Sequence, residues 1–331
     1  MKERLKLYQH LMNGFSYMLP FVVAGGLLIA ISKHSLLTDN IPYLTNVGEI
    51  VLSFAFPVLA GFIAFAIADR PGIAPGVAAG ALALFGGSGF IGAIIGGFAA
   101  GYIIEALKFI SKIVPKSLNG LKPILIFPFF GVLLTALFML PVNIALKPIV
   151  TYIALMIESL ESYQLIIVSV ILGGLMAVDL GGPINKIAYL FGVITLVNGE
   201  PSMIMASIMV AGMIPPLGIA LAVLLFKQDF DDMDKKLAKT NWFMGLSFIT
   251  EGAIPFKQKY HSSIHFPMMV GSMLGAMMSA MLSVSVPAPH GGIFVLPLME
   301  QAWGFLIALL AGIILSTVLM KLCMMMREKH D

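Results

Sequence analysis

The length of its uncharged apolar runs most constrains what this chain can fold into. Residues 203–226 contain no charged side chain and exceed the about 20 residues with which an α-helix crosses the ~30 Å hydrocarbon core of a bilayer. Similar runs recur along all 331 residues. Apolar residues make up 59% of the chain and charged residues 11%, whereas soluble domains have about 45–50% and about 25%. The sequence therefore predicts an integral membrane protein embedded in a lipid bilayer.

Charges and prolines divide the apolar regions into candidate membrane segments. These segments lie near residues 12–31, 50–68, 76–106, 121–146, 148–157, 163–178, 184–197, 203–226, 243–256, 264–286 and 292–320. The run at 76–106 is long enough for a pair of helices, and the runs at 184–197 and 243–256 have the length of re-entrant pieces. We therefore expect an all-α membrane fold with about ten transmembrane helices and two re-entrant hairpins.

Basic residues at both ends of the chain predict its orientation. They are Lys2, Arg4, Lys6, Lys321, Arg327 and Lys329. Because cytoplasmic loops and ends of membrane proteins are enriched in lysine and arginine, both termini are expected in the cytoplasm. The first apolar run, residues 15–31, lacks a small-residue cleavage site and is interpreted as a retained span, not as a secretory signal.

Other patterns exclude several functions. The net charge of +3 is small and spread over loops, so no nucleic-acid partner is expected. Gly87, Gly89 and Gly92 have the spacing of a dinucleotide-binding loop, but no β-branched strand precedes them. The pairs Gly92/Gly96 and Gly97/Gly101 instead indicate close packing of membrane helices. The chain has a single cysteine and no Cys/His cluster of the kind that binds zinc, so neither a metal nor a cofactor is predicted.

The first polar cluster, residues 179–186, reads DLGGPINK. Gly-Gly-Pro breaks a helix, and within a membrane such irregular backbone is tolerated only where it is buried in protein or lines a wet cavity. Transporters use broken helices of this kind as binding sites. The candidate substrate-binding residues here are Asp179, Gly182, Pro183, Asn185 and Lys186. The structural alternative is a salt bridge between Asp179 and Lys186 that pins the tip of a re-entrant hairpin.

Glu251 is an isolated carboxylate in the second cluster, and Gly252 and Pro255 follow it. A carboxylate at a short helix end can accept hydrogen bonds from several hydroxyls of a neutral polyol and can remove a proton from one of them. We predict that Glu251 is the catalytic group and that Thr250 and Glu251 bind substrate. The structural alternative is an ion pair between Glu251 and a lysine such as Lys186 or Lys257.

The third cluster, residues 287–292, reads PAPHGG and cannot form a regular helix. Residues 262–299 contain no Asp, Glu, Lys or Arg, so His290 and His265 are the titratable rings of this stretch. His290 is either a further substrate ligand or a hydrogen-bonded structural histidine.

Together these clusters resemble the fructose family of enzyme IIC, the membrane component of the phosphoenolpyruvate-dependent sugar phosphotransferase system. The resemblance covers most of the chain, and ITEGAIPF at 249–256 is its most specific part. The other matching segments are MLPFVVAGG at 18–26, IADRPG at 67–72, the glycine-rich 89–101, DLGGPINK at 179–186 and PAPHGG at 287–292.

The resemblance implies a homodimer in which residues 1–157 form the scaffold and dimerisation half. Residues 158–331 would then be the transport half, holding the sugar between two re-entrant hairpins. In related members the glutamate that matches Glu251 contacts sugar hydroxyls. The implied function is translocation of a fructose-like sugar across the bacterial cytoplasmic membrane, coupled to its phosphorylation by a soluble IIB phosphocarrier, which works with a IIA protein.

The chain departs from the family pattern after Phe256. Where the family stays small and apolar or carries Ala-Asp-Pro, this chain has Lys257, Lys259, Tyr260, His261 and His265. These residues bear on sugar identity and on the contact with IIB.

The residue Cys323 lacks the loop that surrounds a phosphocysteine. The phosphoryl donor is therefore expected on another polypeptide, unless this sequence is part of a longer chain. Two other functions stay open. One is an ion-coupled secondary sugar transporter with coupling-ion sites at Asp179 and Glu251; the other is a membrane sugar sensor that does not transport.

Overall fold

The computed structural model describes residues 2–32, 42–113, 115, 119–196 and 201–328. The helices within these ranges are α1 Lys2–Ser32, α2 Pro42–Ser53, α3 Ala55–Ala68, α4 Ile73–Gly86, α5 Gly89–Ile110, α6 Phe127–Glu158, α7 Ser162–Val178, α8 Pro183–Ile194, α9 Met203–Leu225, α10 Asp232–Leu246, α11 Ile254–Tyr260, α12 Ser262–Met281 and α13 Ala302–Glu328. Extended pairing in the described ranges is limited to isolated bridges, Ser202 with Val286 and Ser285 with Glu300. The all-α part of the predicted fold is confirmed for the described residues.

By length and composition, 7 helical stretches of the described chain can cross a membrane. They are Lys6–Ile29, Tyr43–Ala68, Gly89–Ile113, Lys122–Ile153, Met203–Leu225, Ser263–Met281 and Ala302–Met326. The helices Ser162–Val178 and Pro183–Ile194 are apolar but shorter. These stretches are fewer than the spans expected from the sequence, and the two re-entrant hairpins stay predictions. Lys329, one of the basic residues that predicted the orientation, lies outside the described residues.

Two segment boundaries bear directly on the sequence prediction. The run at 76–106 divides into α4 and α5, as a pair of helices requires. The separation of 121–146 from 148–157 is wrong, because α6 continues through Pro141 and Pro148. A proline removes one intrahelical hydrogen bond, and helices in membranes tolerate that loss when neighbouring groups satisfy the freed backbone.

The chain divides into two compact units. Unit one comprises Met1–Leu28 and Pro42–Glu158, and unit two comprises Ile29–Ile41 and Ser159–Asp331.

Glycines on α5 bring the helices of unit one together. A Cβ atom built on Gly97 would lie 2.9 Å from the Cα of Ala60 on α3, and one on Gly96 would lie 2.8 Å from the Cβ of Ala79 on α4. Only a residue without a side chain permits such close helix packing. The packing role predicted for the glycine pairs of α5 is confirmed.

Unit one contains a sharp turn between α3 and α4. Helix α3 ends at Ala68, Asp69 adopts φ 56°, and a 3₁₀ turn Arg70–Gly72 leads into α4. The Nζ of Lys108 donates a hydrogen bond of 2.8 Å to the terminal carbonyl of Ala68. This lysine satisfies a carbonyl that has no partner within the helix and interacts favourably with the helix dipole.

Helix α9 is the buried centre of unit two, packed by α7, α10, α12 and α13. Pro215 and Pro216 lie within it and remove the donors for the carbonyls four residues earlier. Hydroxyls from other segments replace those donors. Ser272 Oγ donates to the Ala211 carbonyl at 2.8 Å, and Thr250 Oγ1 donates to the Gly212 carbonyl at 3.0 Å. The second of these bonds fastens the segment that carries Glu251 to the core.

Candidate functional site

The DLGGPINK segment forms a tight reversal between α7 and α8. Helix α7 ends at Val178, and α8 begins at Pro183. Leu180 and Gly181 have φ values of 53° and 105°. Proline suits the first turn of a helix because its missing N–H has no partner there in any case. The predicted helix break is confirmed.

Asp179 anchors the start of α8. Its Oδ2 accepts a hydrogen bond of 2.7 Å from the backbone N–H of Ile184, and its Oδ1 accepts one of 2.9 Å from the N–H of Asn185. A carboxylate at a helix N-terminus satisfies donors that the helix leaves free and complements the positive end of its dipole. Asp179 therefore orients the helix that presents Lys186.

Lys186 and Glu251 form an ion pair between the first two polar clusters. The distance from Lys186 Nζ to Glu251 Oε1 is 2.6 Å. The Lys186 side chain is 10% exposed and the Glu251 side chain 37%, so the ammonium group is enclosed while the carboxylate keeps an open side. A carboxylate has acceptor positions beyond one ion pair. Glu251 can therefore accept a further hydrogen bond while Lys186 holds it in place.

Gly181 permits the close approach of the two segments. A Cβ on Gly181 would lie 2.6 Å from Cγ and 2.7 Å from Oε1 of Glu251. Its φ of 105° also lies in a region that side chains other than glycine rarely adopt. A larger residue at position 181 would displace the carboxylate.

The third cluster packs onto the turn that precedes Glu251. A Cβ on Gly292 would lie 2.9 Å from the backbone nitrogen of Phe248, and the His290 ring lies 5.0 Å from the Phe248 ring between centroids. His290 Nδ1 accepts a hydrogen bond of 2.8 Å from the N–H of Gly291. A neutral ring in this arrangement carries its proton on Nε2, which is then a donor.

Three side chains satisfy the carbonyls at the end of α7. Asn185 Nδ2 donates to the Met176 carbonyl at 2.6 Å. Lys257 Nζ lies 2.6 Å and His265 Nε2 2.9 Å from the Val178 carbonyl, and His265 Nε2 also lies 3.1 Å from the carbonyl of Ala177. Positive charge and donors at a helix C-terminus stabilise it. The residues that depart from the family pattern thus hold the helix that ends beside Asp179.

A second lysine of the same segment ties α11 to the start of α10. Lys259 Nζ lies 2.6 Å from Asp231 Oδ2 and 2.6 Å from Asp234 Oδ2. The hydrogen bond from Lys259 lowers the pKa of Asp231 to about 2. Burial raises the pKa of Tyr260 to about 12, and its hydroxyl donates to Asp234. Helix α11 begins three residues after Glu251. Lys259 and Tyr260 therefore both hold this helix to the start of α10.

The structure gathers the predicted site residues of all three clusters within unit two. They are Asp179, Gly182, Pro183, Asn185, Lys186, Thr250, Glu251 and His290. Lys186 and Glu251 are in direct contact, so the ion pair named for Glu251 is present; the substrate and catalytic roles of Glu251 stay predictions. The alternative salt bridge between Asp179 and Lys186 is wrong, because Asp179 binds backbone amides and Lys186 pairs with Glu251.

The sequence named Lys257 as a candidate partner of Glu251 and related Lys257 and His265 to sugar identity and the IIB contact, but it did not predict that both bind the end of α7. It also gave no role to Tyr189. Tyr189 follows Lys186 by three residues, a spacing that places both on one face of α8. This spacing is the feature of the sequence that could have identified Tyr189 as a site residue. No group of three or more His, Cys, Asp and Glu residues suited to a metal ion occurs in the described part of the chain.

Comparisons with known proteins agree with this arrangement of a multi-pass helical chain. Residues 12–270 match the family "Phosphotransferase system, EIIC". The fructose-specific EIIABC component of Bacillus subtilis is 40% identical over 325 residues, covering 95% of this chain and 51% of that protein. The fructose permease IIC component of Bacillus amyloliquefaciens is 40% identical over 270 residues, covering 81% of this chain and 88% of that protein.

A third relative has a less specific name. The fructose-like permease IIC component 2 of Escherichia coli is 32% identical over 336 residues, covering 97% of this chain and 92% of that protein. This chain spans about half the length of the B. subtilis protein, at 51%. No solved structure matches it significantly. From the family match, the coverage and the helical membrane fold, we conclude that this chain belongs to the phosphotransferase system EIIC family of membrane proteins.

Proposed function

We propose that this protein carries fructose or a fructose-like hexose across a bacterial cytoplasmic membrane and presents it for phosphorylation by a IIB phosphocarrier, itself charged by a IIA protein. The observation that carries the proposal is the Lys186–Glu251 ion pair, which joins two helix breaks in an otherwise apolar protein. The names of the relatives, fructose-specific and fructose-like permease components, support the choice of sugar.

Glu251 has the central role in the proposed mechanism. Its open side accepts a hydrogen bond from the sugar hydroxyl that will be phosphorylated, while Lys186 fixes the carboxylate. The hydroxyl oxygen attacks the phosphorus of the IIB phosphocysteine, the P–S bond breaks, the thiolate leaves, and Glu251 takes the hydroxyl proton. Lys186 balances the negative charge that develops on the transferring group.

The other predicted site residues support this pair. Asp179, Asn185 and Thr250 use polar atoms within the protein, and Gly182 and Pro183 form the turn. In the proposed mechanism these residues shape the site, and His290 Nε2 is a further donor toward the sugar. The sequence-based prediction that Asp179 and Asn185 contact the sugar directly stays a prediction.

The proposal extends to the whole assembly. Residues 1–157 are the scaffold and dimer half of a homodimer, and residues 158–331 move as a carrier. The α7–α8 reversal and the turn at Glu251 are the tips of two re-entrant hairpins among about ten crossings, with both termini cytoplasmic. Broken helices that meet at a polar site are the usual basis of such alternating access.

The hydrogen bonding of Asp179 favours this function over an ion-coupled transporter. Both of its oxygens accept backbone N–H groups, which leaves the carboxylate poorly suited to bind and release a coupling ion. Ion-driven uptake by vesicles that lack the phosphocarrier proteins would instead identify a secondary transporter. Fructose binding without transport in any energised system would identify a sensor.

The test is phosphoenolpyruvate-dependent formation of sugar phosphate from radiolabelled fructose, in membrane vesicles supplied with the soluble phosphocarriers. Glu251→Gln removes the base and is expected to lower the rate about 100-fold or more. The control is Glu105→Gln, which breaks the ion pair of Glu105 with Lys108 in unit one and is expected to leave the rate unchanged. Full activity in Glu251→Gln would contradict the proposed role of Glu251.

A further inference from the structure

Tyr189 lies on the same face of α8 as Lys186, one turn further along. Its ring is 5.9 Å from the Phe248 ring and 6.2 Å from the His290 ring between centroids. Phe248 precedes Glu251 by three residues, and His290 belongs to the third polar cluster. The tyrosine ring therefore lies beside the segment that carries Glu251 and beside the third polar cluster.

The hydroxyl of Tyr189 is buried without a partner. The residue is 3% exposed, and its Oη has no hydrogen-bond partner within the part of the chain that the structure describes. A buried hydroxyl without a partner loses its hydration and gains nothing in return. Phenylalanine would fill almost the same space without that cost, so the hydroxyl is stabilising only in a state that supplies a partner.

We propose that Tyr189 is a sugar-contacting residue that determines specificity, with its Oη hydrogen-bonded to one hydroxyl of the bound sugar. This inference rests on the proposed function. A phenol both donates and accepts, as a sugar hydroxyl does. The rings of Tyr189, Phe248 and His290 form an apolar wall for the C–H groups of the sugar ring, and aromatic residues combine such a surface with a polar end.

The placement of the hydroxyl also predicts which analogues are rejected. A site built to hydrogen-bond a substrate hydroxyl discriminates strongly against an analogue that lacks it, because the buried protein group is then left unpaired. Tyr189 is therefore expected to distinguish fructose from the one deoxyfructose that lacks its partner hydroxyl, and to treat the other deoxyfructoses like fructose.

Calorimetric titration of the purified full-length protein with fructose and with each monodeoxyfructose tests this inference. Tyr189→Phe is expected to weaken fructose binding about tenfold or more and to leave binding of one deoxyfructose unchanged. The same variant without ligand is expected to melt at the wild-type temperature or above, because it loses an unsatisfied group. The control is Thr135→Val, which removes another buried, unpartnered hydroxyl, on α6 of unit one, and is expected to bind fructose as the wild type does.

Each other outcome has a definite meaning. Fructose affinity in Tyr189→Phe within about twofold of the wild type would overturn the inference, since a lost hydrogen bond must cost more. An equal loss for fructose and for every deoxyfructose would overturn the specific hydroxyl contact.

Glu251→Gln in the same titration separates the two proposals. If it weakens binding while Tyr189→Phe does not, the proposed function stands and only the role of Tyr189 fails. If Glu251→Gln binds normally, the proposed site itself fails.

Discussion

Each unit of this protein contains a helix that ends just before an aspartate, and a lysine holds the last carbonyl of each helix. In unit one α3 ends at Ala68, whose carbonyl accepts from Lys108 at 2.8 Å. In unit two α7 ends at Val178, whose carbonyl accepts from Lys257 at 2.6 Å. The last carbonyl of a helix has no partner within that helix, and inside an apolar fold it needs one from elsewhere. In both units a lysine side chain supplies it.

The two aspartates differ in what surrounds them. Asp69 is exposed and makes no side-chain capping bond to the turn that follows it. Asp179 accepts hydrogen bonds from two backbone amides. Gly181 in the same turn packs against Glu251, which pairs with Lys186. An aspartate at a helix break is therefore not enough to form a candidate binding site. The site arises where a second polar segment meets the break.

Replacing the two aspartates is expected to give the largest difference between the turns. Asp179→Ala removes two hydrogen bonds to a charged group, so the free energy of unfolding is expected to fall by about 1–3 kcal/mol. Fructose phosphorylation is expected to fall with it, because the turn beneath Glu251 loosens. Asp69→Ala is expected to change stability by less than about 0.5 kcal/mol. Unfolding in detergent measures the change in stability, and the vesicle assay measures the change in fructose phosphorylation. Equal losses of stability and phosphorylation in Asp179→Ala and Asp69→Ala would contradict the difference between the two turns.

Replacing the two lysines is expected to give a smaller contrast. Lys257→Met and Lys108→Met each remove one donor from a terminal carbonyl, at a cost of about 0.5–1.5 kcal/mol. The cost at Val178 is limited because His265 also donates there. Only Lys257→Met is expected to weaken fructose binding, by a few fold, and Lys257→Arg is expected to restore it. A matching loss of affinity in Lys108→Met would show that the effect is not local to α7.

The acid sensitivity of the link between α10 and α11 is expected to be the smallest effect. Lys259 lowers the pKa of Asp231 from 3.8 to about 2 in the folded protein. A carboxyl group with a lowered folded-state pKa contributes stability above its unfolded pKa, and this contribution is lost as the pH falls from about 4 to about 2. Asp231→Asn is therefore expected to melt slightly below the wild type near neutral pH and at the same temperature in strong acid. A difference that does not change with pH would contradict this assignment.

Composition and local pattern predicted much of this structure. The uncharged run at 203–226 contains α9, and Gly-Gly-Pro at 181–183 is a helix break. The glycine pairs of α5 pack against α3 and α4. These features depend on backbone chemistry and on neighbours in sequence, which a single chain displays directly. The predicted break within α6 was wrong because the helix continues through Pro141 and Pro148. A proline in the sequence shows that one helical hydrogen bond is lost, but it does not show whether neighbouring groups replace that bond.

The partners of the polar groups depended on tertiary packing. Lys186 had two acids as candidate partners, Asp179 nearby in the sequence and Glu251 far along the chain, and the sequence left both open. Backbone amides satisfy Asp179 first, which leaves Lys186 for Glu251. The roles of Lys257 and His265 likewise required knowing which helix ends near them.

If the ion-paired break in unit two binds the sugar, fructose affinity must depend on the Glu251 carboxylate. Titration calorimetry with fructose on purified wild-type protein and on Glu251→Gln compares two proteins that differ in one charge. We expect measurable binding to the wild type and an affinity at least about tenfold lower for Glu251→Gln, since a hydrogen bond to a charged group is worth about 1.5–3 kcal/mol. Equal affinity in the two proteins, with both fully folded, would contradict this expectation.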